Sequence, residues 1–343
     1  MQFLERSANT CDRLGLSWIA PVLRLLHGDR PGHQTRLFLF AVGAPLLSIT
    51  VVLLLWLAVS TQVRIGNLAI PGPLAVWDRA VEMLAEWQDE RLRAAEHEKQ
   101  IAEAIAAGFS AAEARKMLNF TEKTTFASQV LLSLRTVFAG VFCAVLIAVP
   151  IGILCGLFRV IHSLSDPLIQ VLKPVSPLAW FPVVYILTNA LITTPSQSGD
   201  WLSKSFVIAA AVVCLCSLWP TLIATANGVA NVERDHLNVA RVLNLGFFAR
   251  IRLVILPAAL PQICTGIRLS LGIGWMVLIA SEMMAVSPGL GGFIWNWYQS
   301  SNDTALSYLL LAVIVIGLIG FALDRAMIIA QRMISHGAVT QIR

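Results

Sequence analysis

The chain has 343 residues, 57% of them hydrophobic and 13% charged, with a formal charge of +5 and a mean hydropathy of +0.73. Soluble domains carry about 25% charged residues, so this composition excludes an ordinary water-soluble globule and describes a polytopic membrane protein. The basic residues form no aromatic-interleaved patch, which argues against nucleic-acid binding. Of the six cysteines, most lie in apolar runs, where cysteine behaves as a small hydrophobe. Cys214-Leu215-Cys216 has neither metal nor redox spacing, and no histidines pair at ligand spacing, so neither a metal site nor a catalytic constellation is expected.

Residues 1–36 form a basic leader with Arg6, Arg13, Arg24, Arg30 and Arg36. It lacks the short apolar core and small-residue site of a cleaved signal. Its stretch from Leu14 to Leu26 either lies along the membrane surface as an interfacial helix or belongs to a disordered arm. Residues 37–60 are the first span, and the arginines before it place the amino terminus in the cytoplasm. Residues 61–125 form an outer helical insertion; half of the 20 acids fall within residues 61–126. A charged, alanine-rich helix from Trp77 to Ala107 spaces Glu86, Glu90, Arg93, Glu96 and Lys99 for surface pairs. It serves either as part of a docking face or as a solvated hairpin.

An apolar core occupies residues 126–333. Its first helix, 126–158, carries Arg135 in its outer part and Pro150 where a bend is expected; Arg159 and His162 follow as an inner turn. The next segment, 167–189, is broken by Pro174, Pro177 and Pro182 around Trp180. Irregular backbone at membrane depth is tolerated where protein covers it or where it lines a wet cavity. Ser176 and Trp180 are therefore candidates for a translocation path, unless the segment is only a kinked scaffold. A polar outer loop, 193–204, leads to a fourth span at 205–227.

The stretch from Asn238 to Pro257 differs from everything around it. Two short amphipathic runs, 237–245 and 247–255, the second carrying Arg250 and Arg252, meet at Gly246. That glycine is expected to take positive φ, with Pro257 and Pro261 opening the next helix. Neither run can cross a bilayer, yet membrane-length segments flank both, so this is a helix-turn-helix elbow at the membrane surface. Four crossings from a cytoplasmic amino terminus put it on the cytoplasmic side.

The fifth span, 260–285, carries Arg268, Trp275 and Glu282, with Gly266, Gly272 and Gly274 permitting close helix approach in a central, dimer-facing element. Ionisable groups within a span usually face the bundle interior, a partner or water. Arg135, Arg268, Trp275 and Glu282 thus join the path or gate candidates, and Arg135 and Glu282 lie at similar depth to pair across helices. In the outer loop at 286–302, Trp295, Trp297 and Tyr298 sit in an interface belt or form a re-entrant outer gate. The sixth span is 305–329, with Arg325 and Arg332 inside and a cytoplasmic tail at 334–343.

The elbow sequence NVARVLNLGFFARIRLVILP resembles the cytoplasmic coupling loop, or EAA loop, of binding-protein-dependent ABC importer permeases. That pattern is Glu-Ala-Ala, a glycine four residues on, and a closing Ile-x-Leu-Pro. Here the tripeptide is Asn238-Val239-Ala240, Asn244 stands at the glycine position, and Val254-Ile255-Leu256-Pro257 closes the loop. LNVARVLNL, together with VSPLAWFPV at 175–183 and SLWPTLIATANGV at 217–229, is similar to the nitrate-type subgroup, and IPGPLAVWDRAVEML at 70–84 is similar to the family's Pro-x-Pro-Leu-x-x-Trp entry after the first span. Cyanate, bicarbonate, taurine and alkanesulfonate permeases are close to it. The resemblance covers residues 130–333.

The resemblance implies an all-α, six-helix type I ABC importer-like fold in a bacterial inner membrane, with both termini cytoplasmic. It implies a homodimer, two cytosolic ATPase subunits that bind ATP and Mg, and a periplasmic solute-binding protein. The coupling residues would be Leu237, Asn238, Val239, Ala240, Arg241, Leu243, Asn244, Gly246, Leu256 and Pro257, with Val242 adding packing surface. This chain would be a non-catalytic subunit. The nearest look-alike of a phosphate-binding loop, SGDWLSKS, has Ser198 and Ser203 where glycines are needed. Nitrate, or nitrite, is the expected cargo; taurine or alkanesulfonate, cyanate and bicarbonate are alternatives, and a secondary anion transporter is the alternative of another class.

Overall fold

The computed structural model describes residues 36, 39–62, 64, 65, 68–110, 113, 117, 118, 123–192, 203–300, 302 and 304–340. The expectations for the leader and for most of the outer loop at 193–204 lie outside the described residues. Long apolar runs become long helices. In chain order these are α1 (Ala44–Gln62), α3 (Phe126–Leu157), α6 (Lys204–Ala230), α8 (Phe247–Ala285) and α10 (Ala305–Thr340). Each contains a stretch apolar and long enough to cross a membrane. Between them lie α2 (Pro73–Ala106), α4 (Arg159–Leu172), α5 (Pro177–Leu191), α7 (Arg234–Val242) and α9 (Leu290–Gln299). Helices α4 and α5 meet at 101° and are apolar and long enough for a crossing only when taken together, as a broken span or a re-entrant loop. A two-residue antiparallel pair, β1 (Arg64–Ile65) with β2 (Leu68–Ala69), joins α1 to α2.

Hydroxyl residues start several of these helices. Thr125, Ser176 and Ser203 cap α3, α5 and α6 by accepting the amide hydrogens of Ser128, Leu178 and Phe206. The segment expected to be broken around Trp180 breaks earlier, between Leu172 and Pro177, which opens α5; Trp180 and Pro182 lie inside that helix. The second elbow run, by contrast, is no separate helix. Residues 247–285 run on as one helix through a π turn at Ile251–Ile255, so Pro257 follows that turn instead of opening a new element. The wider turn accommodates a proline that cannot donate an amide hydrogen.

Side-chain contacts set the directions of the core helices. Gly140, Gly152 and Gly156 of α3 lie against Val213, Thr225 and Val229 of α6, so these two helices run parallel. Helix α8 runs the other way, with Gly266 on Ala224 and Gly274 on Ser217. Gly272, expected to do the same, faces open space. Helix α10 returns along α8, joined to it by Trp275 with Ile316, Arg268 with Asp324 and Thr265 with Gln331. The far end of this bundle therefore carries the starts of α3, α6 and α10, and the elbow end carries α7 and the start of α8.

A polar exception sits in the centre of the core. Ser270 of α8 donates to the carbonyl of Ser217 and accepts the Thr221 amide at 3.2 Å, with the Thr221 hydroxyl 2.7 Å away. All three residues are fully buried. A serine from one helix thus bonds the main chain of another beside Pro220, the residue there that has no amide hydrogen to give. Helix α1 stands apart, with no buried residue; Trp56 donates to the carbonyl of Pro71 at 3.1 Å where α2 begins.

Candidate functional site

Helix α7 is short and satisfies its ends locally. Asp235 lies in its first turn and Arg241 in its last, each suited to the helix dipole there. The chain then reverses at Asn244, whose φ is +50°, while the amide of Leu245 reaches the carbonyl of Ala240 and that of Asn244 the carbonyl of Arg241, both at 3.0 Å. This is a Schellman stop. The left-handed residue is therefore Asn244, and the expectation for Gly246 is corrected: Gly246 is extended, with φ −60° and ψ 164°, and caps the start of α8. Asparagine is one of the few residues other than glycine that visit the left-handed region routinely. Asn244 fills the glycine position of the resembling motif by taking the conformation glycine usually supplies.

The elbow has two unlike faces. Ala240 has no exposure, and Leu237 packs with Val229, Ile251 and Ile255 in a cluster that also takes in Val149, Ile153 and Leu157 of α3. Val239, Val242, Leu243 and Phe248 point away from the chain, at 57%, 82%, 63% and 83% exposure. Exposed Asn238, Arg241 and Asn244 lie among them, with Arg241 donating to Asn238 at 3.5 Å. Of the expected coupling residues, Leu237 and Ala240 therefore turn inward, and Leu237 joins the elbow to α3, α6 and α8. Leu256 joins the same cluster. Phe248 was not anticipated; its signal is a second aromatic directly after Phe247 on a helix start.

At the far end, α8 ends at Val286, a β-branched residue held at φ +48°, and the chain folds back into α9. Glu282, 1% exposed, closes this hairpin. Its carboxylate accepts the hydroxyl of Ser133 at 2.8–2.9 Å and the amide of Gly291 at 3.0 Å, while Ser133 accepts the amide of Leu290 at 2.9 Å. A carboxylate thus sits at the amino end of α9, where the helix dipole favours it. The approach is too close for a side chain: a Cβ on Gly291 would lie 2.3 Å from the carbonyl of Ile279, and one on Gly292 1.8 Å from that of Ser287.

The expected pairing of Arg135 with Glu282 is not what the fold makes. Ser133 takes Glu282, and a residue two positions on points about 200° around the helix. The Arg135 guanidinium lies over the ring of Phe206, 4.7 Å from its centre. Arg268 pairs with Asp324 at 2.7 Å, both half exposed. Asp324 escaped sequence reasoning, although an acid inside an apolar span is itself a signal.

Trp275 is buried core, donating to the carbonyl of Ile316 at 3.1 Å. Ser176 caps α5, and Trp180 is half-buried with no hydrogen-bond partner for its ring nitrogen among the described residues. The six path candidates therefore occupy different parts of the bundle, and Glu282 alone closes a hairpin. Near the elbow end, a cavity of about 310 Å³ lies between α4 and the ends of α3 and α6, lined in part by His162, Asp166, Gln170, Lys173 and Asn227.

Residues 148–335, more than half of the chain, match the family described as the binding-protein-dependent transport system inner membrane component. The bicarbonate transport system permease protein CmpB of Synechococcus elongatus is 38% identical over 207 residues, 60% of this chain and 68% of that protein. The nitrate import permease protein NrtB of the same organism is 32% identical over 207 residues, 60% of this chain and 69% of that protein. A solved structure of the MetNI methionine ABC transporter in inward-facing conformations covers 59% of this chain and 94% of its own, at 18% identity and a TM-score of 0.45. The chain belongs to the binding-protein-dependent transport system inner membrane component family, as a membrane-spanning ABC permease subunit that serves transport and not catalysis.

Proposed function

We propose that the chain imports a small planar oxyanion, nitrate first and bicarbonate second, across a bacterial inner membrane by alternating access. It works as one copy of a homodimer, with cytosolic ATPases that bind ATP and Mg at the elbow end and a periplasmic solute-binding protein at the far end. Both termini are cytoplasmic in this reading. The observation that carries it is the elbow's division of labour. Val239, Val242, Leu243 and Phe248 form an exposed apolar face with polar neighbours, suited to a groove on a partner. Leu237 ties that face to the core through its cluster with residues of α3, α6 and α8, so a partner's movement passes to these as rigid elements.

The hairpin closed by Glu282 is the outer gate in this scheme. Cargo choice draws on similarity to both nitrate and bicarbonate permeases. Their named cargoes share a flat, singly charged oxyanion shape, which amide donors and helix ends can hold without a buried formal charge. The blocks at 175–183 and 217–229 favour nitrate, and the higher identity to CmpB favours bicarbonate.

The test is uptake by the reconstituted complex of permease, ATPase and binding protein, comparing nitrate, nitrite, bicarbonate, cyanate and taurine. ATP-dependent nitrate uptake is expected. Uptake of taurine alone overturns the planar-anion reading, and uptake that persists without the ATPase overturns the coupling role of the elbow.

A further inference from the structure

The insertion helix α2 is attached to the far end of the core through a regular stripe. Val76, Ala80, Met83, Trp87, Glu90 and Ala94, spaced three and four apart, are among its buried or half-buried positions, while most of their neighbours are exposed. Met83 packs into a cluster with Phe293 of α9 and with Tyr308 and Ala312 of α10. Glu82 accepts the Tyr308 hydroxyl at 3.1 Å, and Arg79 pairs with Glu82 while lying 5.7 Å from the Tyr308 ring centre. Tyr308 stacks on Trp297 of α9 with ring centres 3.9 Å apart, and the contacts continue through Phe293 to Phe126 of α3. About two turns further along α2, Glu90 accepts the amide of Lys123 at 2.9 Å, and the Lys123 ammonium lies 3.8 Å from Glu86. Helix α2 thus holds α10 with one group and the start of α3 with another, and α9 lies between them.

We propose that α2 is a brace over the outer hairpin, in which Glu82 and Tyr308 are positioning residues that hold α9 closed at rest and part when the far end opens. The inference rests on the reading of that hairpin as the outer gate. Stacking of Trp297 on Tyr308 makes the position of α9 depend on where the Tyr308 ring is held, and Glu82 holds its hydroxyl. The grip is narrow and half exposed on the Glu82 side. It can therefore release without unfolding a span.

The test uses the full complex in nanodiscs, with the native cysteines replaced and a single reporter, Ala312→Cys, beneath Tyr308. Ala312 has no exposure in the closed hairpin. Tyr308→Phe and Glu82→Ala are each expected to speed labelling by a membrane-impermeant maleimide about 3- to 10-fold, the effect of losing one hydrogen bond at a partly wet site. Both are also expected to raise ATP hydrolysis without cargo and to raise the KM for uptake while leaving its maximal rate within about twofold. Glu82→Gln, whose amide oxygen still accepts, stays near the parent.

Unchanged labelling in both variants overturns the brace. So does labelling that rises equally at a control cysteine placed at Ala148, a fully buried position of α3 outside both the hairpin and the elbow, which reports general loosening. Faster labelling with unaltered hydrolysis and uptake overturns its role in transport. Variants that show these shifts in a complex that carries bicarbonate but no nitrate support the brace and fault the nitrate reading alone.

Discussion

Ser270 gives its hydroxyl hydrogen to the main-chain carbonyl of Ser217, and so stands inside the hydrogen-bond ladder of a neighbouring helix. The amide of Thr221, whose partner in a regular helix is the carbonyl of Ser217, donates to the Ser270 hydroxyl. Small residues four before and four after, Gly266 and Gly274, let the two helices come close enough for this. Ser270→Ala should therefore destabilise the protein by about 1–3 kcal/mol, because it leaves a buried amide and a buried carbonyl to find new partners. Unfolding in detergent measures the loss; no change would mean that the ladder simply closes again.

Asn244 offers a test of the elbow's backbone. Its φ of +50° costs a β-branched residue about 1–2 kcal/mol and costs glycine nothing. Asn244→Gly should keep ATP-coupled uptake, and Asn244→Val should lose stability by that amount and lower uptake with it. Equal behaviour of the two would show that the turn is made elsewhere.

Val242 and Ala240 lie two positions apart on α7 and should fail in different ways. Val242 is 82% exposed and Ala240 not at all. Val242→Asp should leave the permease folded but weaken its binding to the ATPase by at least about tenfold, since burying a valine is worth roughly 1.5–3 kcal/mol and a carboxylate reverses the sign. Ala240→Asp should unfold the elbow itself. Co-purification with the ATPase, read beside melting of the isolated permease, separates the two outcomes.

Glu282 and Ser133 form a unit at the far end. Glu282→Ala strands the Ser133 hydroxyl and the Gly291 amide and should cost about 2–4 kcal/mol; Ser133→Ala should cost about 1–3 kcal/mol. The double variant should cost less than the sum, since both singles break one network. Strict additivity in the unfolding free energies would remove the network.

Spans, the break before α5 and the elbow were legible along the chain, because hydropathy and helix length are local sums that each segment carries by itself. Asn244 was legible as the motif's glycine position, although the turn residue was first placed at Gly246. Facing was not legible. Whether Ala240 or Val239 looks inward is a matter of about 100° of helix rotation, and that rotation is decided by Val229, Ile251 and Ile255 from other elements. The same reason separates Arg135 from Glu282.

Partners distant in sequence were equally hidden. Arg268 meets Asp324, and Glu82 meets Tyr308 across 226 residues. By itself the amino-acid order determined that this is a membrane-crossing helical chain with one surface elbow. Which groups touch, and that the acidic insertion lies on the outer hairpin, was decided by the packing of whole helices, because a side chain's partner depends on the rotation and crossing of two elements and on no property of either alone.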